Sequence, residues 1–121
     1  MAVHHLKHSQ FETFVPENDL IIFSFWASWS APCTLFSDTF ERLSQKFTDA
    51  AFCQINVEEE ETLAELFQVR SIPTILFMRE GIIVFSHAGV IAEEALEEGI
   101  QDLQQLDMTQ VHQDLLRMKN A

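Results

Sequence analysis

Hydrophobic residues in this chain fall into blocks whose period changes from segment to segment. Leu20 to Trp26 is apolar on both sides, β-branched and aromatic, and too short for a typical helix, so it reads as a strand covered on both faces. From Pro32 to Phe47 the period changes to that of a helix: Leu35, Phe36, Phe40, Leu43 and Phe47 recur at three- and four-residue intervals. Ala51 to Val57 and Ile75 to Met78 predict two more buried strands. Between them, Thr62 to Phe67 predicts a short helix with Leu63, Leu66 and Phe67 on its inner side. Glu80-Gly81 predicts a hairpin turn into Ile82 to Phe85, and Gly89 marks that strand's end. Ala92 to Leu106 predicts a helix on Ala95, Leu96, Ile100, Leu103 and Leu106.

Upstream, Val3 to Leu6 suits a short strand, and Ser9 with Glu12 fits a capping box that starts a short helix at Ser9. Pro16 and Asn18-Asp19 then form a turn. The order β-α-β-α-β-α-β-β-α predicts an α/β fold with a mixed central sheet of four to five strands flanked by helices. One domain over residues 1–107 accounts for it. Residues 108–121 follow as a helical extension, with Val111, Leu115 and Met118 at helical spacing. That stripe either packs on its own domain or meets a partner.

Composition narrows the function classes. A chain of 121 residues, 47% hydrophobic, suffices for one core. Its net charge of −12 argues against nucleic acid or an anionic membrane as a partner, since both require a basic footprint. The runs Glu58 to Glu61 and Glu93, Glu94, Glu97, Glu98 read as solvated faces. No segment is apolar enough to span a bilayer, and Met1 to Gln10 carries no signal-like apolar core, so a soluble, cytoplasmic protein is expected. Two cysteines cannot build a disulfide framework. Cys53 reads as a small core residue, and His4, His5 and His8 lack the acids or cysteines at ligand spacing that a metal site needs. Neither metal nor cofactor is expected.

The chemistry concentrates in Trp29-Ser30-Ala31-Pro32-Cys33, a turn between the buried strand and the first long helix. Pro32 suits a first-turn position, where its missing N–H costs nothing. A cysteine there sits among free backbone N–H groups and the positive end of the helix dipole, both of which favour a thiolate.

With Ile72-Pro73-Thr74 ahead of a later strand, this pattern resembles the thioredoxin family from about Val3 to Leu106. Trp29, Pro32 and Cys33 agree with its Trp-Cys-Gly-Pro-Cys motif; Ala31 replaces Gly, and Ser30 replaces the first Cys. Phe25-Trp26-Ala27, Gly81 and Gly89 also agree. The resemblance implies a thioredoxin fold, a cis proline at Pro73, and thiol–disulfide exchange on protein or peptide substrates. It also implies a flavoprotein reductase as reductant and a substrate groove of Trp29, Ala31, Pro32, Ile72, Pro73 and Gly89. Cys33 matches the resolving cysteine and Ser30 the attacking one.

A hydroxyl cannot attack sulfur usefully at neutral pH or form a disulfide with Cys33, so the chain as written should not run the dithiol cycle. Ser24 and Gln54 stand where the family has a buried aspartate and a lysine, and Thr34 where it often has another lysine. Three readings of Ser30 stay open: an engineered replacement of cysteine, a redox-inactive binding or chaperone-like module, and a monothiol enzyme using Cys33.

Overall fold

Strand β2 (Leu20–Trp26) lies at the centre of a five-stranded sheet. The computed structural model describes residues 3–120. Around β2 the chain runs β1 (Val3–His5), α1 (His8–Glu17), β2, α2 (Ala31–Lys46), β3 (Ala51–Asn56), α3 (Glu61–Leu66), β4 (Thr74–Arg79), β5 (Ile82–Ala88), α4 (Glu93–Gln104) and α5 (Met108–Asn120). Sheet order is β1-β3-β2-β4-β5, with β1, β3 and β2 mutually parallel and β4 and β5 antiparallel to their neighbours. This is the expected mixed α/β sheet.

The period of two along β2 divides the core. Ile21, Phe23 and Phe25 point into one cluster with Leu6, Leu63 and Leu76, closed by Phe11 and Phe14 of α1 and by Phe67. Leu20 and Ile22 point the other way, onto Phe36, Phe40 and Leu43 of α2 and Leu96, Ile100 and Leu103 of α4. A strand between two helical layers has no solvent face, hence a run that is apolar except at Ser24.

Several elements depart from the sequence reading. Helix α1 starts at His8, not Ser9, and Lys7 is its N-cap. The Gln10 side chain accepts the Lys7 N–H at 3.0 Å, and Glu60 on the α3 side accepts the His8 N–H at 2.7 Å. A distant acceptor thus takes the first free N–H of the helix, one residue ahead of the cap expected at Ser9. Leu35 is 76% exposed: it lies about 100° around the helix from Phe36, and Cys33 takes the inward place one turn before Phe36. Leu66 is likewise exposed, while Phe67 stacks against Phe11, Phe23 and Phe25. Ala95 is exposed too. The hairpin forms at Glu80-Gly81, both at positive φ (52° and 77°), as the primed turns that match strand twist require. β5 runs to Ala88, three residues beyond the expectation, because its pairing with β4 continues to Thr74↔Ala88.

Arg79 closes the far end of the sheet against α4. Its Nη1 donates to the carbonyls of Leu103 (2.9 Å), Leu106 (2.8 Å) and Gln104 (3.3 Å), acceptors that a helix C-terminus leaves unsatisfied. Arg79→Met would strand these carbonyls beside an apolar side chain. Charged hydrogen bonds of this kind are worth about 1.5–3 kcal/mol, so urea unfolding should show a loss of about 2 kcal/mol. An unchanged midpoint would show that water replaces the guanidinium at no cost.

α5 begins well anchored and ends exposed. Met108 is buried and Val111 half-buried, and His112 Nε2 lies 3.1 Å from Glu80 Oε1 on the hairpin. Leu115, Leu116 and Met118 face solvent. Among the described residues no helix is long and apolar enough to cross a membrane.

Candidate functional site

Where β2 ends, Ala27 is fully buried and its carbonyl accepts the Ser30 N–H at 3.2 Å, folding 27–30 into a tight turn. Trp29 is lifted to the outside of that turn and is 69% exposed. Ser30 is the N-cap of α2 in an extended conformation; its carbonyl accepts the Thr34 N–H at 3.2 Å and the Thr34 hydroxyl at 3.3 Å. Its side chain makes no capping bond. Ala31 and Pro32 are exposed in the first turn, and Cys33 turns inward.

Ser30, which by resemblance matches the attacking position, is only 6% exposed, and Cys33 is 2% exposed. The accessible surface here belongs to Trp29, Ala31 and Pro32. Both cysteines are free.

Beneath the start of α2 lies a neutral polar relay that the sequence reading missed. Ser37 Oγ donates to the Cys33 carbonyl at 3.1 Å, and Gln54 Nε2 on β3 donates to Ser37 Oγ at 3.3 Å. Gln54 pairs in register with Ser24 on β2, and both side chains are buried. The alternation that sends Phe23 and Phe25 to the α1–α3 layer puts Ser24 on the α2 face. Both positions expected to differ from the aspartate and lysine of the resembled family therefore lie on the face that α2 covers, and both are neutral. Ser37 could have been found from its i+4 spacing to Cys33, where a serine hydroxyl reaches back to a helix carbonyl.

Opposite the turn, the Ile72–Pro73 peptide is cis, as expected. The Pro73 carbonyl accepts the Gly89 N–H at 2.7 Å, tying the entry of β4 to the exit of β5. Gly89 has φ +100°, a conformation that other residues rarely adopt. Pro73 itself is fully buried, so its ring is not the open groove wall that was expected. Trp29 and half-buried Ile72 do come together, lining a shallow cavity of about 230 Å³ with Val57, Ala64, Val69 and Ser71, and with Arg70 beside them. Val57, Val69 and Arg70 carried no motif by which to be found.

Cys53 lies in the core at 0% exposure, and burial pushes its thiol up from 9.0 to about 12. Below pH 9 the thiol is protonated both folded and unfolded, and it affects nothing. Between about pH 9 and 12 the unfolded chain loses this proton while the folded one keeps it, so stability falls as pH rises. Urea midpoints at pH 8 and pH 10 should separate more for the unaltered chain than for Cys53→Ala. Equal separations would place the alkaline loss elsewhere.

Comparison with known proteins agrees with this geometry. The family model described as Thioredoxin matches residues 2–102. Thioredoxin 2 of Streptomyces coelicolor is 33% identical over 106 residues, covering 88% of this chain and 79% of that one. A thioredoxin of Haemophilus influenzae is 30% identical over 94 residues, covering 76% and 88%. Among solved structures, a mutant thioredoxin from Halobacterium salinarum superposes with a TM-score of 0.81 at 28% identity, covering 87% of this chain and 93% of that one. By strand order, cis proline and sequence alike, the chain belongs to the thioredoxin family.

Proposed function

We propose that this chain serves thiol–disulfide exchange on protein or peptide substrates through the Trp29–Cys33 turn. The observation that carries the reading is the position of Cys33, in the first turn of α2, directly after the end of a buried strand. In the complete reaction a thiolate at position 30 attacks a substrate S–S bond and forms a mixed disulfide, releasing one substrate thiolate. Cys33 then attacks that mixed disulfide and releases the second, leaving the pair oxidised and the substrate reduced by two electrons. A flavoprotein reductase would return the pair to dithiols.

Ser30 halts this cycle at its first step, so this chain is inactive or strongly impaired in it. Trp29, Ala31, Pro32 and Ile72 form the contact surface for substrate, with Pro73 and Gly89 bracing it from behind. Two unpaired cysteines suit a reducing, cytoplasmic setting.

A second reading is a peptide-binding module without redox chemistry, which is consistent with neither Ser30 nor Cys33 offering an exposed nucleophile. The two part on Ser30→Cys, assayed for reduction of a protein disulfide beside the unaltered chain. A gain supports the exchange reading. A folded variant with no gain removes it and leaves the binding module.

A further inference from the structure

α4 and the edge strand β5 leave an apolar groove between them, remote in sequence from the Trp29–Cys33 turn. It has a volume of about 220 Å³ and is lined by Phe77, Phe85, Ile91, Leu103 and Leu106, with Asp102 at its rim. Phe85 forms an outer wall and is 45% exposed. Along α4, Glu94, Glu98 and Asp102 follow one another at four-residue spacing, all exposed, and none forms an ion pair among the described residues. Their neighbours Glu93 and Glu97 differ, being paired with Arg42 and Lys46 of α2. The groove is thus an apolar slot beside an uncompensated acidic ridge.

The chain carries the matching shape and charge on α5. Leu115, Leu116 and Met118 lie within one turn and are exposed, Met118 by 73%. Arg117 and Lys119 occupy the same last turn; Arg117 reaches only Asp114 of its own helix, at 3.8 Å, and Lys119 forms no ion pair among the described residues. At about 100° per residue Lys119 lies between Leu115 and Leu116 on this face while Arg117 points to the opposite side, so an apolar helix face carrying one cation meets an apolar groove with a carboxylate at its rim. We propose that the second half of α5 docks into the β5–α4 groove of a second copy of this chain. Leucine and methionine side chains enter the slot while Lys119 meets the carboxylates of Glu98 and Asp102. Each copy has one helix and one groove, so reciprocal exchange closes a two-fold dimer. The contact also relieves part of the repulsion between two molecules of charge −12, which salt near 0.15 M screens beyond about 8 Å.

Sedimentation of the full chain at about 0.15 M salt tests this, without reference to its thiol chemistry. A concentration-dependent monomer–dimer equilibrium is expected. Leu116→Asp on the helix and Phe85→Asp on the groove should each raise the dissociation constant by about tenfold or more. Asp102→Lys, at an exposed position, repeats the groove test without touching packing. Mixing the Leu116→Asp and Phe85→Asp proteins should yield more dimer than either alone, because one intact helix then meets one intact groove. A monomer at every concentration overturns the proposal. So does a dimer weakened by Leu116→Asp but indifferent to both groove variants, which would be a pairing of α5 with α5.

Discussion

Ser30→Cys is expected to reduce protein disulfides with a dithiol supplied, under conditions where the unaltered chain is expected to show no turnover. The size of the effect follows from ionisation. A thiol at a helix N-terminus has a pKa of about 7 and is half ionised at neutral pH. A hydroxyl near the pKa of bulk water is ionised to about one part in 10⁸. Position 30 already has the turn geometry, as the N-cap of α2 with Pro32 behind it. Two features should shape the gained activity. Only 6% of residue 30 is exposed, so attack requires a substrate that seats closely against Trp29 and Ile72. The layer beneath Cys33 is neutral, with Ser37 and Gln54 in a hydrogen-bonded relay and no carboxylate among them. Resolution by Cys33 should therefore be the slower half, and mixed disulfide should accumulate. In Ser30→Cys with Cys33→Ala the mixed disulfide should persist, seen as a protein–substrate adduct by mass. Adduct without turnover in the double variant, and turnover in the single one, is the expected pair of results.

Phe40→Ala should cost the chain much of its stability. Phe40 is fully buried on α2, its ring 5.1 Å from Phe52 at an edge-on angle and 5.9 Å from Phe36. Truncating a buried phenylalanine removes about 3–5 kcal/mol, through lost transfer energy and the cavity left behind. Against a total of about 5–15 kcal/mol that is a large share, equivalent to a fall in Tm of about 10–20 °C. The effect should reach the site, because Phe40 and Cys33 share one helix and one buried face. A thiol reagent should label Cys33 faster in this variant, under conditions where the unaltered chain is protected. A loss below about 1 kcal/mol would mean that α2 is held mainly by Phe36 and Leu43.

Burial and periodicity explain which parts of this protein could be read in advance. Leu20–Trp26 was legible because a strand covered on both faces is apolar at nearly every position, Ser24 being the one polar residue in it. The turn at Trp29–Cys33 and the hairpin at Glu80-Gly81 were legible because proline and positive φ leave local signatures. Leu35 and Leu66 were misread because an apolar residue at helical spacing can lie at the margin of a buried stripe. Only the packed partner decides which side of that margin it takes. The start of α1 was misread because its capping acceptor, Glu60, lies 52 residues away.

The sequence by itself determined the α/β order, the helix-start position of Cys33, and the oxygen that stands at position 30 in place of sulfur. Those are local properties: period, backbone propensity and the identity of one atom. The tertiary structure decided that residue 30 is covered, that Pro73 is fully buried, and that Gln54 and Ser37 form a hydrogen-bonded layer under Cys33. It also decided that Arg79 seals α4 and that the end of α5 is left uncovered. Each of these depends on segments distant in sequence meeting in space, and exposure exists only once they have met.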